Sequence, residues 1–410
     1  MMKLAAGFLA FGGMVANARA QDSPNSSAMA QKIDAIFAPL DTPNSPGVAA
    51  LVVKDDKKLF ERGYDLRDLH SSAKIDPRTN FRLASCSKQF TAMAVMLLVH
   101  DGKLRYDQKL TDVFPDFPAY GKSISIRNLL NHTAGLQDYE TLMEQNQSGT
   151  KGKWTEDHQI QDAEVLTLLE QTDHGMFPPG TQWYYSNSAY VALGLIVAKV
   201  SGQPFPDFLR QRIFAPLKMD HTLAYVKGQN EISNRAYGHT KAGNTWKQTD
   251  QSPTSATLGD GGIYSCLEDL AKWDEALRTN KLLTQEEMQP ALTPVTLPAT
   301  SPSASPCAAH PIASSNPAAE SVFKLPRCNG TQPRWPANSD RPEGTPVSYG
   351  FGWFLDPYRT HPRMWHYGET QGFRSYIVRF TNDRLTIIIL NNRTDISPES
   401  LALHIADLFL

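Results

Sequence analysis

Short apolar runs that read as strands stand toward both ends of this chain, and longer runs of helical spacing lie between them. Near the start, MAQKIDAIFAPL (29 to 40) spaces its apolar residues along one helical face and stops at the turn-rich DTPNSPG. VAALVVKDDKKLFERGYDL then reads as two strands around an Asp-Asp-Lys turn. The far end mirrors this: FRSYIVRF and LTIIILNN flank Thr-Asn-Asp-Arg, and ESLALHIADLFL closes the chain as a helix. In between, 86 to 100, 162 to 171, 187 to 201, 205 to 213 and 266 to 278 read as helices, separated by Gly and Pro punctuation such as MFPPGTQ. Strands at both ends predict one sheet built by the two termini together, with a mainly helical region inserted between them.

Residues 290 to 346 break the pattern. Twelve of the chain's 28 prolines fall there among many Ser and Ala, which predicts a long surface loop. The segment also carries Cys307 and Cys328, the candidate disulfide, where a bridge closing about 20 residues would contribute roughly 3 kcal/mol. Cys86 and Cys266 sit in apolar surroundings and read as buried free thiols, unless the fold brings them together.

The N-terminus, MMKLAAGFLAFGGMVANARAQDS, has one lysine, an apolar run from Leu4 to about Ala16 and a small-residue Ala18-Arg19-Ala20 ending. It reads as a secretory signal peptide over residues 1–20, too short to span a bilayer, where about 20 apolar residues are needed. The expectation is a periplasmic or secreted protein without a stable membrane anchor, and export permits disulfides. Charge excludes little else: 40 Lys and Arg against 42 Asp and Glu, with no block of like charges, give no reason to expect nucleic acid or an acidic membrane as partner.

No GxSxG elbow, HExxH, CxxC or P-loop occurs, and the eleven histidines have no ligand-like spacing, so neither a metal nor a cofactor is expected. One stretch does raise a chemical question. LASCSKQFTAM (83 to 93) reads as a helix start capped by Ser85, yet Lys88 falls in the first turn, where the macrodipole disfavours cations and a capping box would place Glu or Gln. Ser-x-x-Lys also occurs at Ser71 to Lys74, in a polar stretch, and at Ser321 to Lys324, in the proline-rich loop. Only Ser85 opens an apolar helix and would be held rigidly. There a hydroxyl becomes a nucleophile if the lysine one turn on, desolvated near a positive helix end, loses its proton and accepts the serine's. An ordinary N-cap serine with a snorkelling lysine gives the same pattern.

Two further elements could complete such a site. In FPPGTQWYYSNSAYVALG, Tyr185-Ser186-Asn187 stands just before another apolar helix. A phenol can relay a proton and an amide can hold a carbonyl, although a core tyrosine and an N-cap asparagine would look alike. In MWHYGETQGFRSYIVRF, His366 and Gly368 stand just ahead of a strand; a glycine lets a substrate lie against the strand edge, while Trp and His there also suit plain packing.

Taken in this order, Ser-x-x-Lys, Tyr-x-Asn and His-x-Gly resemble the serine β-lactamase and penicillin-binding protein superfamily. NFRLASCSKQFTAMAVMLL, LLNHTAGLQDY, GGIYSCLEDL and WHYGETQGF look like the branch holding class C β-lactamases, DD-peptidases and related esterases, and the resemblance runs from about residue 30 to the C-terminus. It implies an α/β (α+β) fold: an antiparallel sheet from both chain ends, flanked by helices, with the helical region inserted and residues 21–410 forming one hydrolase domain. It implies that Ser85 forms an acyl-enzyme, that Lys88 and Tyr185 share the proton transfers, and that Asn187 orients the substrate. The backbone N–H groups of Ser85 and Glu369 would face the oxyanion, with His366 and Gly368 lining the substrate's path. No cofactor is implied, and the partner is a small-molecule or peptide substrate. One departure stands out: His366-Tyr367-Gly368 replaces Lys-Thr-Gly. That removes a fixed cation, leaves a histidine that is charged only when protonated, and introduces a tyrosine expected to crowd the site. The resulting expectation is a hydrolase of D-amino-acid peptides or β-lactams, with a carboxylesterase or a non-turnover penicillin-binding sensor as alternatives.

Overall fold

The computed structural model describes residues 24–40, 42–147, 153–297, 308–309, 326–327 and 346–410. The leader, Cys307, Cys328 and the Ser321 to Lys324 match lie outside the described residues.

The two chain ends do build one sheet. Strands β1 (Val48–Lys54) and β2 (Lys57–Tyr64) join β3 (Phe354–Tyr358), β4 (His361–Thr370), β5 (Phe373–Phe380) and β6 (Leu385–Asn391) in the order β3-β4-β5-β6-β1-β2, antiparallel throughout. The closure is the pairing of β1 with β6, from Val48 opposite Asn391 to Lys54 opposite Leu385. The near-continuous apolar runs of β1 and β6 follow from burial on both faces. Ala49, Leu51 and Val53 join the core under the helical region, whereas Val48, Ala50 and Val52 join the core under the terminal helices. Asp55 and Asp56 at the β1–β2 turn both have positive φ (50° and 67°), the backbone that a tight hairpin with right-handed strand twist requires.

Helices α1 (Pro24–Phe37) and α6 (Pro398–Ala406) cover one face. On the other lie α2 (Lys88–His100), α3 (Asp162–Glu170), α4 (Asn187–Ser201) and α5 (Leu267–Arg278). α2 is buried from Lys88 to Leu98, so its apolar residues ring the axis instead of forming a stripe. A buried ion pair ties the layers: Arg379 on β5 donates to Asp274 on α5 at 2.7 Å, and the Thr386 hydroxyl on β6 donates to the same carboxylate at 2.8 Å. Among the described residues no helix is long and apolar enough to cross a membrane.

Several elements escape local pattern. β4 is a ten-residue strand where only its final residues looked like an approach to one, and β3 was not foreseen. The 205 to 213 helix is a short α turn, Phe205–Leu209, followed by a π turn, Arg210–Phe214. Within 290 to 346, helix Gln285–Leu292 runs into the segment, and Ala308–Ala309 pairs with Pro326–Arg327. Cys86 and Cys266 are both buried and free.

Candidate active site

Ser85 is not a helix cap. Residues Ala84–Ser87 form a 3₁₀ turn between the short strand Phe81–Arg82 and α2, and α2 itself begins at Lys88. Ala84 has φ +47°, a left-handed conformation costing about 1–3 kcal/mol for a residue with a side chain. Tertiary bonds hold this bend. Leu83 N–H donates to the Ile263 carbonyl at 2.9 Å, Ile263 N–H donates to Ser87 Oγ at 3.1 Å, and the Cys86 thiol donates to the His366 carbonyl at 3.3 Å. Cys86 thus serves as packing and tether, its thiol pushed far up by burial.

Lys88 is fully buried, and among the described residues no carboxylate forms an ion pair with its ammonium. Nζ donates to Ser85 Oγ (3.0 Å), Asn187 Oδ1 (2.8 Å) and the Asp260 carbonyl (2.9 Å). Burial pushes its pKa down to about 8, against the opposing pull of Asp260. Desolvation, one of the two causes that the sequence suggests, is the largest. The three partners also say where a lone pair would point. An amide oxygen and a peptide carbonyl can only accept, so a neutral Lys88 keeps its two N–H bonds to them and turns its lone pair to the Ser85 hydroxyl.

Tyr185 and Asn187 come from the turn leading into α4. Ser186 is the N-cap, its hydroxyl accepting from Ala189 N–H at 3.1 Å, which frees Asn187 to bridge to Lys88. With Oδ1 committed to Lys88, the Asn187 amide presents its N–H₂ end as donor. The Tyr185 ring lies 4.9 Å from Lys88 Nζ, and its hydroxyl is directed toward Ser85. Burial holds the phenol well above its ordinary range despite the lowering influence of Ser85, so Tyr185 keeps its proton at neutral pH.

β4 passes directly beside the turn that carries Ser85. A Cβ at Gly368 would stand 2.1 Å from the Leu83 carbonyl oxygen and 3.2 Å from the Cys86 nitrogen, so only glycine fits there. β3 pairs with β4 only as far as Trp365; among the described residues no strand pairs with the outer edge of β4 from His366 onward.

One expectation about this strand, the crowding of the site by Tyr367, needs correction. His366 does not supply a charge: it is 1% exposed, and burial plus the nearby Lys88 push its pKa down to about 3. Both ring nitrogens serve the scaffold, Nδ1 donating to the Tyr367 carbonyl at 2.7 Å and Nε2 lying 3.1 Å from the Tyr349 hydroxyl. Nor does Tyr367 crowd the site. Side chains alternate along a strand, so it turns to the α6 side, where its hydroxyl donates to Glu369 at 3.0 Å. Glu369 shares that face in a 2.6 Å ion pair with Arg374, leaving its backbone as its contribution to the cleft.

Ser85, Lys88, Tyr185, Asn187 and Gly368 therefore converge. Asp260, 172 residues from Lys88, escaped the sequence reading, as did Tyr349 and His132. The polar stretch holding Ser71 is exposed, with that hydroxyl donating to Asp68 at 2.5 Å.

Comparison with known proteins agrees with this geometry. The profile of the Beta-lactamase family matches residues 33–309. Penicillin-binding protein 4* of Bacillus subtilis (strain 168) is 28% identical over 349 residues, which is 82% of this chain and 66% of that protein. Protein flp of Staphylococcus aureus (strain MRSA252) is 27% identical over 248 residues, 59% of this chain and 48% of that protein. The chain thus spans roughly half to two thirds of the length of these relatives. Among solved structures, the octameric penicillin-binding protein homologue from Pyrococcus abyssi superposes with a TM-score of 0.70 at 20% identity, covering 93% of this chain and 76% of that one. D-amino acid amidase from Ochrobactrum anthropi SV3 superposes with a TM-score of 0.68 at 23% identity, covering 94% and 99%. At such identities the likeness carries the fold. With a profile match over more than half its length, the chain belongs to the Beta-lactamase family, in the superfamily that joins serine β-lactamases to penicillin-binding proteins.

Proposed function

We propose that this protein is an exported serine hydrolase that cleaves an amide bond of a D-amino-acid derivative through an acyl-enzyme on Ser85. The observation that carries the reading is the Lys88 ammonium, buried and shared between Ser85, Asn187 and Asp260. Neutral Lys88 takes the Ser85 proton as Oγ bonds to the substrate carbonyl carbon, and the carbonyl's electron pair moves to oxygen. The backbone N–H groups of Ser85 and Glu369 receive that oxyanion, and Asn187 donates to the substrate's acyl side chain. As the tetrahedral intermediate collapses, the C–N bond breaks and the Tyr185 phenol supplies the amine's proton. Water then releases the acid by the reverse sequence. Relatives named as penicillin-binding proteins, a D-amino acid amidase and a D-stereospecific amidohydrolase support the substrate class. The N-terminal leader supports export to the periplasm or beyond.

The neutral, buried His366 favours substrates with an uncharged far end, since it offers no cation for a carboxylate. The same observation favours the second reading, a carboxylesterase. Intact mass spectrometry with a fluorescent penicillin and with para-nitrophenyl butyrate, on wild type and Ser85→Ala, tests the nucleophile: an acyl adduct on wild type alone is expected, and equal labelling of both overturns the assignment. Turnover of D-phenylalanine amide decides the substrate. Fast ester hydrolysis with that amide, D-Ala-D-Ala peptides and nitrocefin untouched would replace the amidase by the esterase.

A further inference from the structure

The loop Asn131–Gln137 and the chain approaching α4 are zipped together by hydrogen bonds. Met176 N–H donates to the Gly135 carbonyl (2.7 Å), Gly180 N–H to the Thr133 carbonyl (2.9 Å) and Tyr184 N–H to the His132 carbonyl (2.9 Å). One bond further, Ser186 N–H donates to His132 Nδ1 at 3.1 Å. His132 therefore grips the residue before Tyr185 with its backbone and the residue after Tyr185 with its ring. The ring also lies against Tyr185, centroids 4.4 Å apart, and is boxed in by Tyr349 at 4.5 Å and Tyr190 at 5.1 Å. Its φ of +63° turns carbonyl and imidazole toward the same segment.

We infer that His132 is a positioning residue whose imidazole, as the Nε2–H tautomer, clamps the Tyr184–Ser186 segment so that the Tyr185 hydroxyl stays directed toward Ser85. The inference rests on the proposed Ser85 chemistry for its kinetic part only. A backbone N–H can only donate, so Nδ1 must carry the lone pair and the proton sits on Nε2. The ring is completely buried and Nε2 has no hydrogen-bond partner among the described residues, so a polar histidine is held here at the cost of one donor that the surrounding side chains leave unsatisfied. An apolar side chain would fill the aromatic box without that cost, but would leave Ser186 N–H unpaired and Tyr185 without its lateral stop. Desolvation, Lys88 and His366 all disfavour the imidazolium, which would destroy the Nδ1 acceptor.

Three variants separate clamping from filling. Asn tolerates positive φ and places Oδ1 where Nδ1 stood; Gln places its acceptor farther out; Leu has none. In the full chain, single-turnover acylation with the best substrate is expected to fall about 100-fold in His132→Leu and His132→Gln, the effect of misplacing a reacting group by about 1 Å. KM should change less than about threefold, and His132→Asn should recover to within about tenfold of wild type. Equal losses in all three variants, or no loss in any, overturn the clamp. Melting temperatures accompany the rates, and Gln stands in for Leu if Leu does not fold. Long-range 1H–15N NMR on wild type needs no activity at all: His132 is expected as Nε2–H from pH 6 to 9, and an Nδ1–H or doubly protonated ring overturns the inference even if Ser85 proves to be the nucleophile.

Discussion

Lys88 and His366 are two bases buried beside the same cleft, and burial weakens the hold of both on a proton while giving them opposite work. Lys88 keeps one position turned to Ser85, the other two being held by acceptors that never titrate. His366 has one nitrogen on the Tyr367 carbonyl and the other on Tyr349, so nothing of it remains for a substrate. A desolvated base becomes chemically useful only when one of its positions points at the reacting atom; with both nitrogens saturated, the same desolvation yields a structural pin.

The largest expected effect falls on the Lys88 side. Lys88→Ala should lower acylation by about 10²–10⁴-fold, comparable to removal of a general base, with substrate binding nearly retained; stopped-flow acylation measures it. A fall under tenfold would dissolve the contrast. Gly368→Ala comes next, because the added carbon meets the Leu83 carbonyl at 2.1 Å and backbone must move. It should cost about 100-fold in kcat/KM and lower the melting temperature by several degrees, on the order of a 1–3 kcal/mol overpacking strain.

The third sharpening is pH. With Lys88 near 8, about one molecule in ten carries the neutral amine at pH 7 and half do at pH 8. Acylation should rise about tenfold per pH unit below that point and level off above it, with no limb near pH 6.5, because His366 sits near 3. A limb near 6.5 that vanishes in His366→Gln would return that residue to the chemistry. Stability carries the matching sign. Between about 8 and 10.5 the unfolded chain holds a proton that folded Lys88 has shed, so the fold should gain stability as pH rises through that window, and Lys88→Met should flatten the gain. The smallest kinetic effect belongs to His366→Gln: under tenfold on acylation, with about 1–3 kcal/mol lost in urea unfolding as Tyr349 loses its partner.

Much of this fold is legible locally because buried strands and buried helices advertise themselves as apolar runs. The β1 run VAALVV and the β6 run LTIIIL are buried on both faces, and α2 and α4 are buried nearly all round, so each could be read without its neighbours. β3 and the first half of β4 were not legible, since PHE-LEU-ASP-PRO-TYR and HPRMW mix proline, charge and aromatics; an ion pair of Arg363 with Asp356 at 2.9 Å compensates for charges that their sequence alone makes improbable in a sheet. In the site, Ser85, Lys88, Tyr185 and Asn187 were marked by spacing, whereas Asp260 and His132 act through a carbonyl and a ring nitrogen brought in by the fold, and no local motif announces such roles.

The sequence by itself determined which apolar runs become the central strands and helices, and that a lysine stands one turn beyond a serine at the start of an apolar helix. Only the tertiary structure decided that Ser85 sits in a strained 3₁₀ bend, that Lys88 sheds its proton near pH 8 while His366 stays neutral, and that His132 grips Tyr185 from both sides. Periodicity is a property of neighbouring residues; desolvation and hydrogen-bond geometry depend on which distant atoms share the same small volume.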